Sequence, residues 1–70
     1  MNLIDLEAFV SVVDRGSIVA AAAGLHLTQS AVTRRIQNLQ DALGTPLLDR
    51  QTRPLQPTRV GQETYGATFG

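Results

Sequence analysis

Apolar residues recur every three or four positions through most of the chain, which is the spacing of helices that bury one face. The pattern predicts a first helix over residues 3–14, with Asn2 available as its cap and Gly16 after its end. Its expected buried stripe consists of Leu3, Leu6, Phe9, Val10 and Val13. The first element is therefore an amphipathic helix whose opposite face meets solvent.

A short alanine-rich helix is predicted next, over residues 18–24. Ser17 precedes it as a cap, and its run of four alanines lets a neighbouring helix approach closely. In the turn that follows, we expect Leu25 and Leu27 to point inward. His26 lies between them, and we expect it to adopt the left-handed backbone region, which histidine tolerates better than most residues.

The third predicted helix is the longest and runs over residues 29–43. Thr28 precedes it as a cap, and Gly44 and Pro46 follow it as residues that stop a helix. Its expected buried face consists of Val32, Ile36, Leu39 and Leu43. A short helix, a brief turn and a longer helix together predict a helix-turn-helix.

Two short strands are predicted around a loop, over residues 47–50 and 54–57. The prolines of the second strand confine it to the edge of the sheet. Thr58 is a predicted cap for a fourth helix that starts near Arg59, and we expect the glycines within that helix to weaken it. The chain is therefore predicted to be mostly α, with a three-helix core and a two-stranded wing hairpin.

Composition limits the possible functions. The 70 residues suffice for one small domain, and the absence of cysteine excludes disulfides and thiolate zinc sites. We find no nucleophile–histidine–carboxylate set, no phosphate loop and no metal-ligand cluster, so we expect no enzyme, cofactor or metal. No apolar run is long enough to cross a membrane, and no secretory signal is evident.

Charge is distributed unevenly although the formal net charge is zero. Residues 28–59 carry five arginines against two aspartates. This asymmetry hints at a polyanionic partner, but an ordinary solvated surface would explain it equally well.

The exposed face of the third helix carries groups that match the edges of bases. On a helical wheel Arg34 lies almost opposite the buried stripe, Ser30 lies beside it, Thr33 lies further round, and Gln29 lies in the first turn. Glutamine can bond bidentately to adenine, arginine to guanine, and serine or threonine to several edges. We predict that these four side chains contact bases in the major groove; the alternative is a polar face that merely meets solvent.

Phosphate and minor-groove contacts are predicted around this helix. Thr28 stands at its first turn, where free N–H groups favour phosphate oxygens. Arg53 lies in the predicted loop and could enter a narrow A·T-rich minor groove, or it could remain solvated. Arg35 and Arg50 could each bind phosphate, or each could pair with a carboxylate of the domain.

The chain resembles the amino-terminal winged helix-turn-helix of the LysR-type transcriptional regulators. The matching positions are Leu6-Glu7-Ala8-Phe9, Gly16-Ser17, the alanine run, Leu25-His26-Leu27, Gln29-Ser30-Ala31-Val32, Ile36, Leu39, Leu43-Gly44, Pro46-Leu47-Leu48, Arg50, Thr58 and Gly61. The resemblance implies a DNA-binding domain over residues 1–58. It also implies that residues 59–70 begin the linker helix through which members of the family dimerise.

The same resemblance implies partners and contacts. Members of the family are bacterial, cytoplasmic regulators that bind interrupted, A·T-containing palindromes in double-stranded DNA as homodimers or tetramers. They sense a small-molecule effector through a carboxy-terminal domain. This chain stops before such a domain, so we expect it to be the DNA-binding fragment of a longer regulator. Carried over residue by residue, the family contacts place Gln29, Ser30, Thr33 and Arg34 in the major groove, Arg53 in the minor groove and Ser17 at phosphate.

A winged helix that docks another protein is the alternative function, because a fold does not fix its function. Such a module is expected to expose an apolar patch and to have no need of Arg34 or Arg53. The polar outer face of the third helix favours DNA.

Overall fold

The computed structural model describes residues 3–49, 51–52 and 54–69. The elements along the chain are α1 (Leu3–Arg15), α2 (Ile18–Leu25), α3 (Gln29–Leu43), β1 (Leu48–Asp49), β2 (Gln56–Pro57) and α4 (Arg59–Phe69). Their order confirms the predicted three-helix core with a hairpin and a fourth helix. The bounds of α3 are those predicted, and α1 and α2 each end one residue later than predicted. Asn2, the predicted cap of α1, lies outside the described residues.

The core lies where α1 packs against both α2 and α3. Its largest fully buried side chains are Phe9, Val12, Val32, Ile36, Leu39 and Leu47. Ala21 and Ala22 are also buried, which confirms that small residues on α2 allow the close helix crossing. Leu48 and Leu55 bring the hairpin onto the same core.

The buried face of α1 differs from the predicted stripe. Its buried residues are Asp5, Ala8, Phe9 and Val12. Leu6, Val10 and Val13 are half-buried at the margin of the core, and Leu3 is 69% exposed. The prediction followed the largest apolar side chains, whereas the helix is rotated so that the small Ala8 and the acidic Asp5 face its neighbours.

Two leucines predicted to be buried lie at the surface. Leu27 is 37% exposed, because His26 adopts the expected left-handed conformation (φ 58°, ψ 39°) and the N–H of Leu27 returns to the carbonyl of Ala22 at 2.9 Å. Leu43, the last residue of α3, is 39% exposed and is followed by Gly44 in the left-handed region. The core therefore ends at Leu39 on α3.

The strands of the hairpin are shorter than predicted. They pair antiparallel, with Leu48 opposite Pro57 and Asp49 opposite Gln56. The N–H of Leu47 donates instead to the side-chain oxygen of Gln40 (2.9 Å). The N–H of Leu55 donates to the carbonyl of Gly16 (3.0 Å). These two N–H groups thus bond to the helical core, while the carbonyl of Leu47 accepts a hydrogen bond from the N–H of Thr58 at 3.0 Å.

Helix α4 is tied to the hairpin at its first turn. The hydroxyl of Thr58 accepts a hydrogen bond from the N–H of Gly61 (3.1 Å) and donates to the carbonyl of Pro46 (2.8 Å). A Cβ on Gly61 would lie 2.1 Å from the carbonyl oxygen of Leu47. The expectation that this glycine weakens α4 was therefore wrong, because it permits a close approach that no other residue allows.

The far half of α4 contacts α1. The hydroxyl of Tyr65 donates a hydrogen bond to the carboxylate of Asp14, and the ring packs against the core together with Val60. This hydrogen bond raises the pKa of Tyr65, and desolvation and the negative charge of Asp14 raise it further. Helix α4 is thus held at its first turn by the hairpin and near its middle by α1.

Candidate nucleic-acid interface

The amino terminus of α3 is shaped by a side-chain cap. Thr28 has an extended backbone (φ −74°, ψ 158°), and its hydroxyl accepts a hydrogen bond from the N–H of Ala31 at 3.1 Å. The other N–H groups of the first turn have no partner within the helix. This end of α3 therefore presents partial positive charge and hydrogen-bond donors to an approaching anion.

One surface cleft contains all four side chains predicted to contact bases. We call it the α3 cleft; it is lined by Ile18, Gln29, Ser30, Thr33, Arg34, Gln37 and Asn38. Gln29, Ser30 and Arg34 are exposed, and Thr33 is half-buried. The cleft thus combines amide, hydroxyl and guanidinium groups in the space of about three helical turns.

The buried face of α3 determines which of its side chains line the α3 cleft. Val32, Ile36 and Leu39 have no exposed surface, so the helix cannot rotate about its axis without opening the core. Ile18 enters the cleft from the first turn of α2. The pattern of polar residues along α3 could not indicate Ile18, because this residue is apolar and belongs to another helix.

The carboxy-terminal half of the exposed face is less suited to DNA. The side-chain amide of Gln37 donates to the carboxylate of Asp41 at 2.9 Å. An acidic group at this position is repelled by phosphates. Polar groups suited to base edges are therefore concentrated toward the amino terminus of α3.

Ser17 occupies the corresponding position on α2. Its backbone is extended, and its hydroxyl oxygen accepts from the N–H of Ala20 at 3.0 Å. A hydroxyl that accepts a cap bond still has its own proton, which is suited to a phosphate oxygen. The same chemistry applies to Thr28, so two capped helix termini carry hydroxyl groups of the predicted phosphate-contacting set.

The described arginines of the basic region have different surroundings. Arg34 is exposed in the α3 cleft. A guanidinium nitrogen of Arg35 lies 3.4 Å from the carboxylate of Asp5 on α1, which is the second of the two roles considered for this residue. On α4, Arg59 and Glu63 form an exposed pair at 3.8 Å. Arg50 and Arg53, the predicted phosphate and minor-groove residues, lie outside the described residues.

Two kinds of feature, a metal-ligand cluster and a membrane-spanning helix, were sought over residues 3–49, 51–52 and 54–69. No group of three or more histidine, cysteine, aspartate or glutamate side chains could hold a metal ion there. No helix in that part of the chain is both long and apolar enough to span a membrane. A second groove, between α1 and the end of α4, is lined partly by Leu3, Leu6, Val10 and Leu25 and shares no residue with the α3 cleft.

Comparison with known proteins places this geometry in a family. Residues 3–62 match the family model described as a bacterial regulatory helix-turn-helix protein, lysR family. The probable HTH-type transcriptional regulator LrrA of Synechococcus elongatus is 47% identical over 62 residues, which are 89% of this chain and 21% of that relative. The HTH-type transcriptional activator TtdR of Escherichia coli is 46% identical over 61 residues, which are 87% of this chain and 20% of that relative. The chain therefore spans about a fifth of the length of these relatives.

Solved structures agree with this assignment. The complex of the BenM DNA-binding domain with catB site 1 DNA superposes with a TM-score of 0.94 at 39% identity, covering 99% of this chain and 74% of that one. The complex of the CbnR DNA-binding domain with DNA gives 0.91 at 33% identity, covering 99% of this chain and 79% of that one. The match thus extends along the described helices and hairpin.

Proposed function

The chain belongs to the lysR family of bacterial regulatory helix-turn-helix proteins, and from this premise we propose that it binds double-stranded DNA sequence-specifically. It does so as the amino-terminal domain of a longer transcriptional regulator. The observation that carries the proposal is the α3 cleft, where the predicted base-contacting side chains lie together on the face opposite the core. The DNA complexes of similar domains support the same function.

Helix α3 enters the major groove with its amino-terminal half. Arg34 bonds bidentately to a guanine, Gln29 to an adenine, and the hydroxyls of Ser30 and Thr33 to base edges or a phosphate. Each of these side chains is at least partly exposed, so none has to leave the core to reach DNA. The buried face of α3 fixes the orientation of the helix before DNA arrives, which lowers the entropic cost of binding.

Phosphate and minor-groove contacts complete the proposed interface. The capped amino termini of α2 and α3 approach the backbone through Ser17 and Thr28. Arg53 is the proposed minor-groove contact, as the family resemblance implies, and Arg50 is the proposed phosphate contact beside the hairpin. These contacts set the register of the protein on the duplex, and the α3 cleft then reads the sequence.

The regulator acts as a homodimer or tetramer on an interrupted, A·T-containing palindrome. In this proposal residues 1–58 form the DNA-binding domain, and residues 59–70 begin the linker helix. A small-molecule effector acts through a carboxy-terminal domain, and the protein works in the cytoplasm without enzymatic activity. The family to which the chain belongs supports this arrangement.

Docking of another protein is the alternative use of the same fold. The α3 cleft favours DNA, because Ile18 is the apolar side chain among seven lining residues and the other six are polar or charged. Such a concentration of amide, hydroxyl and guanidinium groups is suited to the hydrogen-bonding edges of bases.

Selection and titration test the proposal. A pool of duplexes with random half-sites is enriched on the chain, and the affinity for an enriched duplex is measured from 50 to 200 mM salt. Arg34→Ala is expected to lose discrimination at one guanine, by about 1–3 kcal/mol. Arg53→Ala is expected to weaken binding most where the flank is A·T-rich. Arg15→Ala removes the same charge from the last turn of α1, outside the α3 cleft, and is the matched control.

The outcomes separate the two functions. Steep salt dependence, with altered base preference in Arg34→Ala and not in Arg15→Ala, supports DNA recognition through α3. A folded wild-type chain that binds no duplex at 50 mM salt, even when a fused coiled coil forces it to dimerise, contradicts the proposal. The protein-docking alternative would then stand.

A further inference from the structure

We propose that Asp5 is an internal counter-ion that withholds the charge of Arg35 from DNA phosphates and so lowers the affinity of the domain for DNA of any sequence. This inference rests on the proposed DNA-binding function. It concerns a carboxylate that lies in the core face of α1, outside the α3 cleft.

Asp5 and Arg35 form a contact between α1 and α3, which are separated along the chain by α2. Asp5 lies in the first turn of α1 and is only 4% exposed. A terminal guanidinium nitrogen of Arg35, in the middle of α3, donates to a carboxylate oxygen of Asp5 at 3.4 Å. The side chain of Arg35 is 37% exposed, so the guanidinium reaches inward while part of the chain meets solvent. The ion pair therefore links an arginine at the margin of α3 to a carboxylate buried in the core.

Burial makes this contact hard to exchange. A carboxylate removed from water is costly unless an opposite charge and hydrogen bonds compensate it. The amino terminus of α1 supplies part of this compensation through its dipole, and Arg35 supplies a full positive charge. If Arg35 turned toward a phosphate, Asp5 would lose that charge and remain buried. The structure therefore holds Arg35 on the domain.

The neighbouring arginine shows the contrast. Arg34 is exposed in the α3 cleft, whereas Arg35 lies about 100° further around the helix and faces α1. Contacts between arginine and phosphate carry no sequence information, and each one strengthens binding to every duplex. Neutralising Arg35 thus lowers the affinity common to all sequences and leaves the base-reading side chains unchanged.

Salt dependence measures the number of phosphates engaged, so it tests the proposal directly. Wild type, Asp5→Asn, Arg35→Gln and the double variant are titrated with a random duplex and an enriched duplex from 50 to 200 mM salt. Asp5→Asn is expected to steepen the slope of log affinity against log salt by about 0.9, the value for one added phosphate contact. Over this fourfold range of salt, its affinity should fall about 3.5-fold more than that of wild type, and equally for both duplexes.

Two comparisons isolate Arg35 from the change in net charge. Glu7→Gln removes a negative charge from the same helix at an exposed position, and it is expected to leave the slope at the wild-type value. Arg35→Gln is also expected to keep the wild-type slope, because Asp5 already occupies that arginine. Adding Arg35→Gln to Asp5→Asn should abolish the steeper slope.

Several results would overturn the inference. One is a slope that falls by about 0.9 in Arg35→Gln, because Arg35 would then contact phosphate in the wild type. Another is an unchanged slope in a folded Asp5→Asn, or an equal rise in Glu7→Gln. Circular dichroism checks that each variant is folded. If either single variant is unfolded, the salt slope of wild type is compared with that of the double variant. A smaller slope in the double variant then contradicts the proposal. If the wild-type protein binds no duplex, the proposed DNA-binding function itself is contradicted. If the wild-type protein binds normally but the variants give any of the contrary results above, only the inference about Asp5 and Arg35 is contradicted.

Discussion

Gly61 and Gly66 provide a matched test of how α4 is held against the hairpin. Both lie inside the same helix, where replacing glycine with alanine normally stabilises by about 1 kcal/mol. A Cβ on Gly66 meets nothing within 4 Å, whereas a Cβ on Gly61 would lie 2.1 Å from the carbonyl oxygen of Leu47. We therefore expect the same substitution to have opposite effects at the two positions.

The cost at Gly61 follows from what holds the Leu47 carbonyl. This oxygen accepts a hydrogen bond from the N–H of Thr58 at 3.0 Å, so it cannot retreat without breaking that bond. An ordinary contact begins near 3.4 Å, and the two groups must separate by more than 1 Å. Overpacking costs about 1–3 kcal/mol and the lost hydrogen bond about 1 kcal/mol, which the gain in helix propensity only partly offsets. The net effect of Gly61→Ala is a destabilisation of about 1–3 kcal/mol.

Thermal and urea unfolding followed by circular dichroism measure both effects. For a domain of this size each kcal/mol shifts the melting temperature by about 4–8 °C. Gly61→Ala should therefore melt at least about 4 °C below wild type. Gly66→Ala should melt at or above the wild-type temperature. If Gly61→Ala is as stable as Gly66→Ala, the close approach of α4 to Leu47 is refuted.

Three further substitutions test local features. Thr28→Ala removes the cap of α3 and should lower the free energy of unfolding by about 1 kcal/mol in urea; an unchanged midpoint would contradict the cap. His26→Gly relieves a left-handed conformation and should raise the melting temperature, whereas a fall would show that the histidine side chain is stabilising. The raised pKa of Tyr65 means that its contribution to folding is present below pH 10.0 and is lost as pH rises through the folded-state value. The difference in melting temperature between wild type and Tyr65→Phe should therefore shrink from pH 7 to pH 11, and a constant difference would contradict this linkage.

Features determined by neighbours in sequence could be predicted accurately. The start of α3 follows from the Thr28 cap, and its end follows from Gly44, which adopts the left-handed region at φ 70°. The left-handed turn at His26 was confirmed for the same reason. Such features depend on backbone preferences and short-range hydrogen bonds, which a sequence contains directly.

Features determined by residues that are distant in sequence could not be predicted from the sequence. Asp5 lies in the buried face of α1 and is paired with Arg35, thirty positions away. Gly61 is required by the carbonyl of Leu47, and the N–H of Leu55 donates a hydrogen bond to the carbonyl of Gly16 on the helical core. In each case the role of a polar or small residue depends on a contact between elements, which its own propensity does not reveal.

The candidate site combines both kinds of information. The spacing along α3 placed four polar side chains on one face, and the structure brings all four into the α3 cleft. Their contacts with bases stay a prediction. Ile18 was missed, because its place in the cleft depends on how α2 crosses α3. An apolar side chain beside hydrogen-bonding groups is suited to a thymine methyl, so its contribution to sequence preference can be tested in the same titrations.

The surroundings of the arginines change the meaning of the basic region. A count of charges over residues 28–59 treats every arginine as equally available to a polyanion. In the structure, Arg35 is paired with Asp5 and Arg59 is paired with Glu63. The two pairs are not equivalent. The exposed pair of Arg59 is screened by solvent and contributes little, so a phosphate could displace Glu63 readily. The pair of Arg35 includes a buried carboxylate, so a phosphate would have to draw Arg35 away from a charge that stays inside the protein. Of the described arginines in this region, Arg34 therefore combines exposure, a place in the α3 cleft and freedom from that penalty, which is why its substitution should change base preference rather than overall affinity alone.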